Sequence, residues 1–382
     1  MYKCSALVVC PTALDKTYNY FKRFRLKYKI AEEVLSEGAN GKAVLLTFQR
    51  KQYTAQAVMK ILNKDRGGKE RDNLFREVMV GVAINEGMCK LFPCFIRTFG
   101  AYRAVEEGPS VQGVHLKAVH HTPDIREACS TAGEQAILIE YVKGDTLSKL
   151  TKSGHHGDVL QLLFQMYYAL SMLGDEFTHY DLHLKNVLVY RAHPEKCLAF
   201  EYKLPEDRNG QRETVRFECN YVAKIIDYGR AYVKSVAPEV AKLETEPECL
   251  GKCMKDRPGD LCGLKYFDKP GSIHNKRANI SQDLRPLRSA AERYPDWDKN
   301  VKVVFDGEFV TPEVKESGLH NNRINNVHDA LQFLTEKVKG MRTNREVYGT
   351  ISVDGEHDWK FAQATDSRSQ TRTANSSTSS KK

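Results

Sequence analysis

His179-Tyr180-Asp181-Leu182-His183-Leu184-Lys185-Asn186, running straight into Val187-Leu188-Val189, is the stretch on which the reading of this chain turns. It reads as a short polar loop feeding a β-rich run. Asp181 and Asn186 stand five apart. A carboxylate and a neutral amide oxygen can therefore occupy the two ends of one loop and converge on one volume. An Asp and an Asn at that spacing meet by chance in most chains of this size, so the pair needs partners elsewhere.

The chain has 382 residues, ample for a real core with residues to spare for extensions. Hydrophobic content of 41% and charged content of 28% are those of an ordinary globular protein. A net charge of +9 favours acidic partners, whether nucleotide phosphates, nucleic acid or an acidic lipid surface. Ten cysteines scattered over so long a chain read as reduced thiols in a cytosolic compartment. No apolar run approaches membrane-spanning length, and Ala6-Leu7-Val8-Val9-Cys10 is too brief for a signal peptide.

Upstream of the loop, residues 1–29 interleave seven basic positions with Tyr18, Tyr20, Phe21, Phe24 and Tyr28. Base stacking with phosphate contact would use that mixture, so an acidic partner or nucleic acid is one reading. A basic amphipathic element packed on the domain behind it is the plainer one. From Lys29 to Thr47 the pattern is strand-like around Leu35-Ser36-Glu37-Gly38-Ala39-Asn40-Gly41-Lys42-Ala43, with glycines that let a backbone turn freely. Tyr53 to Leu62 reads as a strand carrying Lys60 among apolar residues, an ammonium either placed in a cleft or snorkelling to the surface. Asp72 to Asn85 suits a helix, with Leu74, Phe75, Val78 and Val82 near one face. Glu77 lies among them and should face inward, unlike Glu70 or Glu86.

Leu91 to Tyr102 and Gln135 to Val142 read as strands. Between them residues 105–134 form a surface insertion whose His115, His120 and His121 lack the spacing of a metal site. Val159 to Phe177 reads as a buried helix leading into the loop.

Downstream, Cys197 to Leu204 and Thr214 to Val222 alternate like strands about an Asn209-Gly210 turn, an inserted β-hairpin. Lys224-Ile225-Ile226-Asp227-Tyr228-Gly229 is an apolar strand presenting one carboxylate. Ala237-Pro238-Glu239 follows Gly229 too closely to close a substrate platform. Cys249, Cys253, Cys262 and His274 lack the paired knuckle of a zinc site. Ile280-Ser281-Gln282-Asp283-Leu284 opens a helix, Val301 to Val310 reads as a hairpin about Asp306-Gly307, and Asn326 to Lys339 as a terminal helix. From Thr365 the composition cannot build a core, and a disordered tail is expected.

Taken in order, these segments over roughly residues 30–340 resemble the eukaryotic-type protein kinase superfamily. They are most similar to the divergent Ser/Thr kinases of nucleocytoplasmic large DNA viruses. Kinases carry a glycine-rich loop, a Val-Ala-Ile-Lys strand, a His-Arg-Asp-Leu loop ending in Asn, and an Asp-Phe-Gly element. The resemblance implies an α+β, two-lobed fold: a small β-rich N-lobe over 30–142 and a mainly helical C-lobe over 143–361 with inserted β-hairpins. The basic extension 1–29 and the polar tail 362–382 flank it.

The resemblance also implies ATP, Mg2+, and phosphoryl transfer to Ser/Thr hydroxyls of a protein substrate, in the host cytoplasm or the virion. By position, Asp181 is the proton acceptor, Asn186 and Asp227 the metal ligands, Lys60 the phosphate anchor and Glu77 its partner. Ser36, Gly38 and Gly41 would cover the phosphates, and Ile139 would gate the rear of the adenine pocket. Backbone groups of Glu140 and Val142 would pair with adenine, Asp145 would touch ribose, and Asp283 would support the loop backbone.

Several positions depart from the pattern. Ser36 replaces the first glycine, Tyr228 replaces Phe, and Asp227 follows Asn186 by forty-one residues where roughly twenty are usual. Tyr180 replaces the Arg that reads a phosphorylated activation loop, which implies activity independent of such phosphorylation. His183 stands in place of the Lys that neutralises the transferred phosphate, so His183 or Lys185 would take that part. Two other readings stay open: a small-molecule phosphotransferase of the aminoglycoside-kinase type, and a non-catalytic scaffold with an eroded glycine loop.

Overall fold

Alternation of side chains builds the first layer. Val44, Leu46 and Phe48 lie on one face of a strand and are buried against Ala57, Met59, Phe99, Ala136 and Leu138 of its neighbours, as a period of two requires. This layer belongs to a computed structural model that describes residues 29–37, 41–50, 53–62, 74–105, 115–118, 135–206, 209–240, 277–294, 302–303 and 323–364. The basic stretch before Lys29, Gly38, most of the 105–134 insertion, the Cys249, Cys253, Cys262 and His274 region, the Asp306-Gly307 turn and the tail from Thr365 lie outside the described residues.

The protein is an α+β structure with several sheets. The first is antiparallel and six-stranded, in the order β1-β2-β3-β6-β4-β5. Its strands are β1 (Lys29–Glu37), β2 (Gly41–Arg50), β3 (Tyr53–Leu62), β4 (Thr98–Val105), β5 (His115–Ala118) and β6 (Gln135–Glu140). Lys60 sits near the end of β3, level with Ala43 on one side and Ile137 on the other.

Helix α1 (Leu74–Glu86) crosses one face of this sheet, where Leu74 and Val78 pack on Ile137. Two features fix its height. A Cβ on Gly81 would come within 2.1 Å of Thr98 Oγ1, so only glycine permits this approach of helix to β4. One turn later the Asn85 side chain takes the Thr98 N–H at its oxygen and gives its own N–H to the Thr98 carbonyl.

Leu91 to Tyr102 is not one strand. A short helix α2 (Met88–Leu91) ends there, and β4 begins only at Thr98. Pro93 lacks the N–H a ladder needs, and Phe92, Phe95 and Ile96 are buried as a plug in the larger core instead of alternating. Phe95 bridges in parallel to Ile225, joining this segment to the second half of the chain. Within the insertion, His115–Ala118 pairs with β4 and is part of the sheet.

The second half is organised around α4 (His156–Leu173), reached through β7 (Gly144–Thr146) and α3 (Leu147–Leu150). Most of α4 is buried, from Val159 through Leu173, so it is a central helix rather than an amphipathic surface one. It stops at Leu173, earlier than the apolar run suggests, because Gly174 turns the chain at φ 42°. The next residues pair as β8 (Phe177–Thr178) with β13 (Tyr232–Val233).

After the His179–Asn186 loop come β9 (Val187–Arg191), β10 (Cys197–Lys203), β11 (Thr214–Cys219) and β12 (Tyr221–Ile225). Then follow α5 (Arg285–Ala291), β14 (Lys302–Val303), β15 (Arg323–Ile324), α6 (Val327–Val338), β16 (Val347–Val353) and β17 (Lys360–Gln363).

β12, β9 and β7 form a three-stranded sheet. β10 and β11 do form the expected hairpin, but they belong to a four-stranded sheet in the order β11-β10-β16-β17, with β16 parallel to β10. Phe200, Tyr202 and Phe217 stack on one another, and Tyr202 and Phe217 meet Phe164 of α4 edge-on. The helix at Val327–Val338 is therefore not terminal, and among the described residues the second half carries strands as well as helices. Of the expected hairpin at Val301 to Val310 only Lys302–Val303 is among the described residues, and it pairs in parallel with Arg323–Ile324. Beyond β16 the chain returns to α2, where Trp359 gives its backbone N–H to the Lys90 carbonyl and its indole N–H to that of Cys89. Among the described residues no helix is long and apolar enough to cross a membrane.

Candidate active site

Three elements far apart in sequence deliver one ion cluster. Lys60 of β3 places its Nζ 2.7 Å from Glu77 Oε2 of α1 and 2.8 Å from Asp227 Oδ1, two residues past β12. Burial works against the charge on Lys60, but the two carboxylates outweigh it and hold the ammonium proton well above the ordinary lysine range. Burial likewise raises Asp227, and Lys60, with lesser pulls from His179 and His183, brings its carboxyl below the ordinary value. Glu77 is almost fully enclosed, whereas the Asp227 side chain is 41% exposed. One carboxylate anchors the lysine and the other keeps a side open.

Asp227 has φ 69° and ψ 68°, a left-handed backbone that costs a non-glycine residue about 1 kcal/mol or more. Tyr180 is the other described non-glycine residue at positive φ, 62°. Both strained residues sit at this site. Tyr228 holds the first one down: its buried hydroxyl accepts from the Ile96 N–H at 2.9 Å and donates to the Ile225 carbonyl at 2.8 Å. Those bonds give the Tyr in place of Phe a physical purpose.

The loop itself is pinned from beneath. Asp283, just before α5, accepts the backbone N–H of His179 at 2.6 Å and of Tyr180 at 3.0 Å. Burial pushes the Asp283 carboxyl up to about 6, although His179 and the two N–H donors pull the other way. His179 bridges the loop to the Asp227 strand, with Nε2–H donating to the Ile226 carbonyl at 2.9 Å and Nδ1 accepting from the Asp181 N–H. Asn186 closes the loop by giving its side-chain N–H to the Asp181 carbonyl at 2.9 Å, which leaves its amide oxygen for another partner. Its backbone carbonyl takes the Ile226 N–H at 3.0 Å. Asp181 and Asn186 thus share one loop, strapped to the residue before Asp227. Asp181 is partly exposed, and Arg230 Nη1 stands 3.7 Å from its Oδ2.

The remaining positions are distributed as follows. His183 is half-buried, and burial lowers its proton affinity below the usual histidine value, with Asp181 opposing and Arg285 assisting. It is therefore a poor permanent cation, and Lys185, exposed in the same loop, is the better candidate of the two. Ser36 and Gly41 flank the β1–β2 turn. Ile139 is half-buried against the core, and Val142 is buried.

Glu140 narrows one expectation. Its backbone N–H is given to the Arg97 carbonyl at 2.8 Å, so a base could meet only its carbonyl. Its side chain turns inward, takes the Arg97 N–H and faces the buried Lys224 at 3.7 Å. Asp145 is exposed and accepts from Lys149 at 2.7 Å, so a ribose would have to compete for it.

Sequence reasoning missed Arg230, Lys224 and the Gly81–Asn85–Thr98 contact. Lys224 could have been noticed, since a lysine inside an apolar strand calls for a buried anion. No protein-family model matches the chain, and no curated protein matches it.

Proposed function

We propose that the chain is an ATP- and magnesium-dependent phosphotransferase of the protein-kinase type, acting on Ser/Thr hydroxyls of proteins. In this reading residues 30–142 and 143–361 are the two lobes, and the site lies between them. The observation that carries it is the Lys60–Glu77–Asp227 cluster, drawn from three elements to a loop that holds Asp181 and Asn186.

The residues fit the missing groups. Asp227 and Asn186 offer hard oxygen donors, one a partly exposed carboxylate and the other the oxygen of an amide whose NH2 gives an N–H to the Asp181 carbonyl. Among the described residues no group of three or more His, Cys, Asp or Glu forms a metal cluster. Magnesium held by one or two protein oxygens, water and phosphates does not require one. When bound, the ion supplies charge neutralisation on the phosphates.

The chain's own residues account for the rest. Lys60 binds phosphate oxygens with an ammonium that Glu77 keeps charged and aimed. Asp181 accepts the proton of the acceptor hydroxyl as its oxygen attacks the γ-phosphorus. The bond from that phosphorus to the β–γ bridging oxygen breaks, and ADP carries away the electron pair. His179 and Asp283 hold the loop so that Asp181 needs no reorganisation at that moment.

The test supplies radiolabelled ATP with generic protein substrates and, separately, with small alcohols. Label on protein Ser/Thr is expected. Label on alcohols alone would make the enzyme a small-molecule phosphotransferase, and nucleotide binding with no transfer would make it a scaffold. Asp181→Asn should lower turnover by about 10²–10⁴ while nucleotide binding survives.

A further inference from the structure

Glu77, Gly81 and Asn85 stand at intervals of four along α1, so they share one stripe of the helix. Glu77 meets Lys60 at 2.7 Å. The other two meet Thr98 at the start of β4, and the transfer chemistry uses neither of them. Both are buried, and each is specific to its place. A Cβ at Gly81 would lie 2.1 Å from Thr98 Oγ1, 2.8 Å from its Cβ and 3.2 Å from its Cγ2. Rotation of the Thr side chain leaves Cβ where it is, so the clash has no cheap escape. Asn85 Oδ1 accepts the Thr98 N–H at 3.0 Å, and the Asn85 side-chain N–H goes to the Thr98 carbonyl. The grip is therefore on the backbone of β4, which cannot swing away.

Sheet register carries that grip to the lysine. Thr98 stands level with Ile139 of β6, and Ile139 with Val58 of β3. Val58 is one side-chain repeat from Lys60 on the same face of β3. The ladders thus fix Lys60 relative to Thr98, while Gly81 and Asn85 fix Glu77 relative to the same residue. A slide of α1 by one residue, about 1.5 Å, is enough to take the Lys60–Glu77 bond out of hydrogen-bond range.

We propose that Gly81 and Asn85 are positioning residues for phosphate binding: they set the height at which Glu77 meets Lys60, and so how Lys60 is shared between Glu77 and Asp227. The inference rests on the phosphotransfer reading for what Lys60 and Asp227 do, while the placement of Glu77 is a matter of geometry. Were α1 to shift, Lys60 would keep Asp227, at 2.8 Å, as its near carboxylate. The ammonium would then be drawn onto the group that the metal needs, and phosphate and metal would both have to compete with that pair.

The experiment uses the full chain. KM for ATP and kcat are measured below each variant's melting midpoint, and the Kd of a fluorescent ATP analogue is measured with Mg2+ present. Gly81→Ala should raise KM and Kd by about tenfold or more, the scale of a misplacement near 1 Å. Adding Thr98→Gly clears all three clashing atoms and keeps the backbone groups that Asn85 holds. It should return both constants to within about twofold of the parent, as coupled neighbours do. Asn85→Ala introduces no clash, so it carries the test if Gly81→Ala does not fold; it should raise both constants about threefold. A part in stability alone would lower the melting midpoint and the active fraction, hence kcat, and leave KM and Kd unmoved. That result in the single variants would overturn the inference and leave phosphotransfer standing. A double variant that folds yet stays as weak as Gly81→Ala would overturn it too. If the parent neither binds nor transfers, the phosphotransfer reading falls, and the Lys60–Glu77 separation in nucleotide-free crystals decides the placement. A longer separation in Gly81→Ala or Asn85→Ala upholds it, and 2.7 Å throughout overturns it.

Discussion

Two lysine–glutamate pairs of this protein differ in almost every physical respect. Lys60–Glu77 is tight at 2.7 Å, with a lysine 24% exposed and a second carboxylate, Asp227, within reach. Lys224–Glu140 is loose at 3.7 Å, with both side chains at least nine-tenths buried, and Glu140 Oε1 has no hydrogen-bond partner. The first pair faces an opening and can exchange one carboxylate for another anion. The second has nowhere to go. It ties the end of β6 to the strand leading to Asp227, and its charges are retained because removing either one strands the other. In the proposed reading one pair serves a ligand, and the other keeps the frame on which that site is built.

Lys60→Met should sharpen that contrast most. Loss of the cation is expected to lower phosphotransfer by about 10² or more, in the manner of a lost charge-stabilising donor, with an unfolding midpoint close to that of the parent. Loss of folding instead would mean that the open pair is structural after all. Lys224→Met comes next. It leaves Glu140 buried without a counter-charge and should cost about 3–5 kcal/mol in urea unfolding. Adding Glu140→Gln should recover much of that, whereas a fully stable single variant would break the comparison.

Tyr228→Phe should cost about 1 kcal/mol, because the Ile96 N–H loses its acceptor in the core yet keeps a longer bond to the Ile225 carbonyl. Thermal melts would detect it. The smallest effect concerns His183. Its folded-state proton affinity lies below the ordinary 6.5, so the stability it contributes is present above that pH and lost as pH falls through the lower folded value. His183→Gln should flatten that acid limb of a stability–pH profile. Turnover of the parent should stay level from pH 7 to 8 as far as His183 is concerned, since a required imidazolium would make it fall.

Much of the candidate site was legible because its residues sit in short, strongly patterned segments. Glu77 could be preferred over Glu86 from its apolar neighbours alone, and it is 4% exposed whereas Glu86 lies open. The hairpin of β10 and β11 announced itself through Asn209-Gly210. The parallel pairing of β16 with β10 could not, since a parallel ladder has no turn of its own to mark it. Leu91 to Tyr102 misled because an apolar run looks the same whether it forms a strand or plugs a core, and Pro93 was the local sign that it does the latter.

What the amino-acid order determined by itself was the set of chemical groups and the elements that carry them: a lysine on a strand, a glutamate on a helix, an aspartate and an asparagine on one loop, a second aspartate after an apolar strand. Such assignments rest on local sterics and on burial periodicity, which act within a few residues. Only the tertiary structure decided that Arg230 stands beside Asp181, that Glu140 turns inward to Lys224, and that Trp359 returns to the carbonyls of α2. Charge pairing and hydrogen bonding of that kind depend on distance in space, and chain order sets that distance only after the layers have packed.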